Sequence, residues 1–166
     1  MARFSPVFLS LTLAAGALAA GEYDSLVGAI KKSWPQCQSV AVVCDANGSK
    51  AALAALTSAT GGMKLLVVDV RGPQDMGKAI AALTGRKPDA VILLSGDHVA
   101  GDGSSAAGFL IKRMAENKVP TAAITEAGAK QGAALAIGSG TGGKLMCNAK
   151  VAAVAGVTFP AGATSI

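Results

Sequence analysis

Residues 119–139 read VPTAAITEAGAKQGAALAIGS, and this stretch decides which fold the chain is predicted to adopt. An apolar run, Pro120–Ile124, ends at Thr125 and Glu126, and a second apolar run, Ala133–Ile137, begins after Gly132. Short strands without polar alternation are typical of a parallel sheet that is buried on both faces. The stretch therefore predicts a strand, a polar loop, a short helix and a further strand.

The same alternation of strand and helix extends back through the chain. Runs rich in Val, Leu and Ile are separated by segments rich in Ala and Leu, which begin or end at Gly or Pro. Strands are predicted at Ser39–Cys44, Lys64–Val70, Asp89–Leu94, Pro120–Ile124 and Ala133–Ile137, and helices at Tyr23–Trp34, Asn47–Thr60, Pro73–Leu83 and Ser104–Asn117. This order predicts an α/β fold with a single doubly wound, flavodoxin-like parallel sheet of about five strands.

The composition favours one globular domain. Hydrophobic residues make up 51% of the chain and aromatic residues 4%, with 21 glycines, which suits small side chains packed between helices and a sheet. The net charge is +5, but the basic residues are scattered along the sequence and are not interleaved with aromatic residues. Nucleic-acid binding is therefore not predicted.

The N-terminus has the pattern of a secretory signal peptide. A positive start at Arg3 precedes the apolar run Val7–Ala20, and Ala17-Leu18-Ala19 forms a small-residue cleavage signal. A membrane helix is less favoured because it needs about 18–20 apolar residues. We therefore expect a signal peptide over residues 1–20, cleavage near Ala19 or Ala20, a single domain over residues 21–166, and a periplasmic or secreted protein.

The cysteines and the histidine do not form a recognisable reactive or metal-binding motif. Cys37, Cys44 and Cys147 have no C-x-x-C spacing, and His98 is the only histidine. One disulfide is open to them in an oxidising compartment, although Cys44 ends an apolar strand and is expected to be a small buried residue. No metal and no cofactor are predicted.

Polar loops follow the predicted strands at the point where open parallel sheets bind their ligands. Ligands of such sheets lie beyond the carboxyl ends of the strands. The polar residues predicted to line a ligand site there are Asn47, Ser49, Ser95, Asp97, His98 and Glu126. Asp97 and Glu126 are suited to an amino group, and Ser49 with the first amides of its helix to a carboxylate. The same residue types also serve as ordinary helix caps and turns.

A glycine-rich segment follows the fifth predicted strand. Residues 138–143, GSGTGG, fit the dinucleotide pattern G-x-G-x-x-G. No Asp or Glu follows Glu126, however, so the acid that would bind a ribose is missing, and a flexible connector is favoured. No Ser lies in a G-x-S-x-G elbow, and Asp97 beside His98 does not by itself make a catalytic set. The chain is therefore not predicted to be an enzyme.

Several segments resemble one protein family in their order and spacing. These segments are SVAVVCDANGS, KPDAVILLSGDHVA, NKVPTAAITEAGAKQGAALAIG and KLMCNAKVAAVAGVTFP. The last carries Asn148, Ala152, Gly156 and Pro160 at intervals of four residues. Together they resemble the C-terminal lobe of the substrate-binding proteins of ABC transporters, those with a type I periplasmic-binding fold and amino-acid-type ligands.

The resemblance covers about Leu26 to the C-terminus and departs from the family in two places. Nothing matches the first lobe, and GSGTGG stands where a helix normally returns the chain to that lobe. The resemblance implies an exported single lobe that binds a small polar ligand, such as an amino acid, or docks to a partner supplying the other wall. The partners it implies are an ABC permease, a second lobe-bearing protein or a second copy of the chain. The alternative is an interaction domain that has lost ligand binding.

Overall fold

The computed structural model describes residues 14–138, 143–158 and 162–166, with side chains described from Gly21 onward. In this part of the chain a single sheet has the strand order β2-β1-β3-β4-β5-β6-β7. The strands are β1 Ser39–Cys44, β2 Lys64–Asp69, β3 Ala90–Ile92, β4 Thr121–Ala123, β5 Leu135–Ile137, β6 Leu145–Cys147 and β7 Thr164–Ser165. The helices are α1 Ala14–Ser33, α2 Lys50–Thr60, α3 Met76–Arg86, α4 Ser105–Glu116, α5 Glu126–Lys130 and α6 Ala149–Ala155.

The predicted doubly wound α/β fold is confirmed. Strands β1 to β5 are parallel and lie in the order 2-1-3-4-5. Strand β2 is therefore added on one side of β1 and the later strands on the other, which places the switch point of the strand order between β1 and β3. The apolar runs form strands because their side chains are covered on both faces; Val40, Val42 and Ile92 are fully buried.

The number of strands differs from the expectation of about five. Strand β6 pairs antiparallel with β5, and β7 pairs parallel with β6, which extends the sheet to seven strands. Both additions are very short, three and two residues, so the sequence contains too few positions to show a strand period. Their effect is to cover the edge of β5 that would otherwise be open.

The helices differ from the predicted ones mainly at their N-terminal ends. Helix α1 begins at Ala14 rather than Tyr23 and therefore runs through the predicted signal-peptide cleavage point. Its Ala-rich start has a high intrinsic helix propensity. Helix α2 begins at Lys50, after a turn, and a 3-10 turn at Pro73–Asp75 precedes α3. None of the described helices is both long and apolar enough to cross a membrane.

Two hydrophobic layers cover the faces of the sheet. Alternate residues of β1 point to opposite sides, with Ala41 and Val43 in one cluster and Val40 and Val42 in the other. Side chains of α3 and α4 complete the first cluster, and side chains of α1 and α2 complete the second. The sheet is therefore fixed from both sides, which holds the loops at its ends in place.

The three cysteines are free thiols in the hydrophobic layers. Cys37, Cys44 and Cys147 are all buried, so the structure does not contain the disulfide that the sequence left open. Burial raises the pKa of Cys44 to about 12 and those of Cys37 and Cys147 to about 11. At neutral pH these side chains are protonated and behave as small apolar groups.

Candidate functional site

The polar loops predicted to form a site do lie at one edge of the sheet. The register places Val42 beside Ile92 and Ile92 beside Ala122, so β1, β3 and β4 end at about the same level. We call this end of the parallel strands the carboxyl edge; it comprises the loops of residues 45–49, 70–72, 95–104 and 124–126. All six predicted ligand-binding residues belong to it.

Asp97 joins two of these loops from a buried position. One of its oxygens, Oδ2, accepts hydrogen bonds from the Asp45 amide at 2.9 Å and from the Ser49 hydroxyl at 2.6 Å. The other, Oδ1, accepts from the amides of Val99 at 3.0 Å and Ala100 at 2.8 Å. Asp97 and Ser49 are 6% and 8% exposed, so protein donors rather than a ligand already satisfy this carboxylate. We therefore assign Asp97 and Ser49 to holding the loops in place.

A second carboxylate, Asp45, organises the exposed part of the edge. Its Oδ1 accepts from the Arg71 guanidinium at 2.9 Å, and its Oδ2 lies 3.5 Å from Nε2 of His98. Arg71 also contacts Asp69 at 2.8 Å. Desolvation works to raise the pKa of Asp45, but amide hydrogen bonds from Gly48 and Asn47 and the nearby Arg71 and His98 lower it overall. The edge thus presents an ionised acid beside a half-exposed guanidinium.

The remaining predicted residues are exposed along the same edge. Asn47, Ser95 and His98 are solvent-accessible, and the Ser95 amide donates to the buried hydroxyl of Tyr23 at 3.2 Å. Burial raises the pKa of Tyr23 to about 12, so this phenol stays neutral and fixes the loop as a hydrogen-bond acceptor. Glu126 is exposed at the start of α5, where it pairs with Lys130 at 2.8 Å.

Asp102 connects the loop after β3 to the loop after β4. Its Oδ2 accepts from the amides of Ile124 at 2.9 Å and Thr125 at 2.7 Å. Burial raises the pKa of this carboxyl above its ordinary value, although the same amides act to lower it. Gly128 makes this contact possible, because a Cβ there would collide with Asp102 Oδ1 and with Ala123. Glu126 is therefore held near the loop after β3 by a packed contact.

Sequence reasoning missed Asp45, Asp69, Arg71, Asp102 and Tyr23. A signal for the first three was present, because Asp45 directly follows β1, Asp69 is the last residue of β2 and Arg71 lies two residues beyond it. The loop after β2 obeys the same rule as the other loops and was left out of the prediction. Asp102 and Tyr23 had no sequence signal, since both act through contacts with residues distant in the chain.

The described side chains do not form a recognisable catalytic or metal-binding group. Asp97 points inward and His98 points toward Asp45, so the two neighbours do not form an acid–base pair. Cys44 is fully buried and its pKa is about 12, which makes it a poor nucleophile. Within the described ranges, no group of three His, Cys, Asp or Glu side chains is placed to hold a metal ion. Residues 139–142 of the glycine-rich segment lie outside those ranges.

Comparison with known proteins establishes the fold. No protein-family profile and no curated protein matches the sequence. A conserved domain protein from Vibrio cholerae O1 biovar El Tor strain N16961 matches in structure with a TM-score of 0.73 at 20% identity, over 86% of this chain and 59% of that one. An ABC domain from Streptococcus pneumoniae in complex with L-Trp matches with a TM-score of 0.72 at 17% identity, over 87% and 62%.

The chain spans about three fifths of the length of these two structures. At this level of identity the likeness shows the fold alone. Taken with the strand order, it shows that the chain has the doubly wound α/β fold that these two structures contain.

Proposed function

We propose that this chain is an exported single-lobe homologue of ABC-transporter substrate-binding proteins, which binds a small polar ligand of the amino-acid type at its carboxyl edge. The observation that carries the proposal is the meeting of Asp45, Arg71 and His98 beside the exposed side chain of Asn47. Supporting it, the similar pneumococcal ABC domain has L-Trp bound. The chain is proposed to act as a binding protein, without a cofactor and without catalysis.

The carboxyl edge offers charges of both signs to a ligand. Arg71 is 53% exposed and bridges Asp45 and Asp69, so its outer face can approach a ligand carboxylate. Asp69 and Glu126 remain 42% and 49% exposed and suit an ammonium group. A zwitterion with its two charges close together fits this arrangement better than a ligand with a single charge.

We expect weak binding by the monomer, because one lobe forms only one wall. A ligand left in contact with water gains about 0.5–1.5 kcal/mol from each hydrogen bond. A micromolar site corresponds to about −8 kcal/mol, and half of that is about −4 kcal/mol, or millimolar affinity. Calorimetry on a verified monomer should therefore give dissociation constants for free amino acids no tighter than about 0.1 mM. A value below about 10 μM would show that one lobe is sufficient.

The site of weak binding can be identified by a heteronuclear NMR titration with L-Trp and with other free amino acids. Shift changes should concentrate in the loops of residues 45–49 and 95–100 and at Glu126. Asn47→Ala and His98→Ala should reduce the changes, whereas Gln38→Ala, an exposed residue at the opposite edge, should leave them intact. Changes centred on Gln38 would contradict the site.

The second candidate is an interaction domain of the same fold that no longer binds a ligand. The internal satisfaction of Asp97 and Ser49 favours it, since those two side chains are not free to receive a ligand. In that case no titration shifts should occur up to about 10 mM amino acid, a concentration well above a millimolar constant. The carboxyl edge would then be a docking surface for a permease, a second lobe-bearing protein or a second copy.

Export is the part of the proposal that rests on the N-terminal pattern. Arg3, the run Val7–Ala20 and the Ala17-Leu18-Ala19 signal support cleavage near Ala19 or Ala20 and a periplasmic or secreted location. Protein recovered from the cell envelope should begin near Ala20 or Gly21 on N-terminal sequencing. Recovery of the chain in the cytosol with Met1 intact would contradict export.

A further inference from the structure

The end of the sheet opposite the carboxyl edge carries a concentration of basic side chains. We call it the amino edge; it is where β1 to β4 begin and where α1, α3 and α4 end. The exposed cations there are Lys31, Lys32, Lys64, Arg86, Lys87 and Lys118. Because they come from three helices and one strand, the sequence shows them as scattered and only the fold gathers them.

These cations are only partly offset by the acids around them. Within the described ranges, the salt bridges of basic side chains involve Arg71, Arg113, Lys130 and His98, and none involves the six amino-edge residues. Asp89, in the wall of the cleft that Lys31 and Lys64 also line, accepts hydrogen bonds from the Gln38 and Ser39 amides and the Ser39 hydroxyl, and its carboxylate offsets one of these cations. Six cations beside this one carboxylate leave the amino edge with a net positive field.

The dipoles of the helices account for only part of this pattern. Cations in the last turn of a helix interact favourably with its carbonyl groups, which applies to Lys31, Lys32 and Arg86. Lys64 opens a strand, and Lys118 lies beyond the end of α4. The positively charged surface therefore extends beyond the residues that the helix dipoles explain.

Two of the lysines occupy backbone positions that favour glycine. Lys87 has a φ of 46° and Lys118 a φ of 59°, and they are the non-glycine residues with positive φ in the described part of the chain. Both lie directly after or near a helix C-terminus, where glycine adopts this conformation without strain. A cation therefore stands at both positions in spite of a conformational cost.

The amino edge also contains a recess of suitable size for an anionic group. A cleft of about 650 Å³ lies between Lys31 and Lys64, and its wall contains Gln38, Ser39 and the carboxylate of Asp89. A second cleft of about 380 Å³ shares Ser39 and Lys64 and adds Arg86. Lys31 donates one hydrogen bond to the Thr60 carbonyl at 3.4 Å, which leaves two of its three protons for an anion.

The opposite end of the molecule carries the contrasting charge. The acidic side chains placed at or just beyond the carboxyl ends of the strands are Asp45, Asp69, Asp75, Asp97, Asp102 and Glu126. The cations Lys50, Arg71, Lys78 and Lys144 lie at the same end and offset part of this charge. The amino edge is therefore the more positive end, and an anionic surface would orient the protein with that edge inward.

We propose that the amino edge docks the protein onto an anionic phospholipid surface, with a headgroup phosphate seated between Lys31 and Lys64. The six cations extend across three helix ends, which suits a continuous negative surface better than a single free anion. Docking in this orientation leaves the carboxyl edge facing away from the bilayer. The proposal does not depend on ligand binding at that edge.

Vesicle sedimentation with the full chain tests the proposal. Vesicles with a third of phosphatidylglycerol in phosphatidylcholine should bind the protein, and vesicles of phosphatidylcholine alone should not. The triple variant Lys31→Gln, Lys64→Gln and Lys118→Gln should partition about 100-fold less strongly. The matched variant Lys50→Gln, Lys78→Gln and Lys144→Gln loses the same charge from elements that begin next to the carboxyl edge, and it should bind almost as the unmodified chain does. If loss of Lys64 impairs folding, Lys87→Gln replaces it in the triple variant.

Several outcomes would overturn the proposal. Equal loss of binding in the two triple variants would show a response to net charge alone. Binding that persists on phosphatidylcholine or in 1 M salt would assign it to the apolar N-terminal segment, which both variants retain. Saturable binding of inorganic phosphate without vesicle binding would make the cleft a small-anion site. Tighter binding to a mixed-sequence DNA duplex than to vesicles at equal salt would point to a nucleic acid instead.

Discussion

Replacing Ile92 with Asp should leave the chain unfolded at 25 °C. Ile92 lies in β3, an interior strand of the sheet, and is fully buried between Val42 of β1 and Ala122 of β4. The substitution removes about 1.5–3 kcal/mol of apolar burial and adds an unpaired buried charge, which costs several kcal/mol more. Domains of this size are stable by only about 5–15 kcal/mol. Loss of the cooperative thermal transition, followed by circular dichroism, is the measurement.

The matched control for Ile92→Asp is Val67→Asp. Val67 lies in the edge strand β2 and is 41% exposed, so its side chain can present a carboxylate to water. We expect this variant to keep the transition with a modest shift, within about 1 kcal/mol. A folded Ile92→Asp variant, or equal loss of stability from both substitutions, would mean that β3 is not a buried interior strand.

Replacing Asp97 with Ala should lower the free energy of unfolding by at least about 3 kcal/mol, since it leaves buried donors without an acceptor. The donors that would lose their partner are the Ser49 hydroxyl and the amides of Asp45, Val99 and Ala100. The loops after β1 and β3 would also lose their connection. Urea denaturation measures the stability, and backbone NMR shifts of residues 45–49 and 95–100 report the loops.

Asp89→Ala provides a comparison with the same chemical change in a different environment. Asp89 accepts three hydrogen bonds, against four at Asp97; they come from the Gln38 amide and from the Ser39 amide and hydroxyl, and they are exposed at the amino edge. Water can replace a lost acceptor there, so the expected loss is about 1 kcal/mol. Similar losses for the two variants would contradict the role given to burial at Asp97. Ser49→Ala removes one of the four hydrogen bonds to Asp97, so its free energy of unfolding should lie between those of the two aspartate variants and that of the unmodified chain.

The carboxyl edge shows which features of a candidate site can be predicted from the sequence. That Asn47, Ser49, Ser95, Asp97, His98 and Glu126 share one edge follows from a single rule about parallel strands, and the register confirms it. Which of them face solvent does not follow, because burial depends on the loop conformation. Asp97 and His98 are neighbours in the chain, yet one is buried against four donors and the other is 62% exposed.

The sequence by itself determined the α/β class, the five parallel strands and the edge at which the polar loops lie. These properties depend on local hydrophobic runs and their turn residues, which are visible one segment at a time. Only the tertiary structure decided the pairing of β6 and β7, the contact of Arg71 with Asp45 and Asp69, and the gathering of Lys31, Lys64 and Lys118 at the amino edge. Each of these joins residues far apart in the chain, and such contacts form only when packing of the two hydrophobic layers brings the segments together.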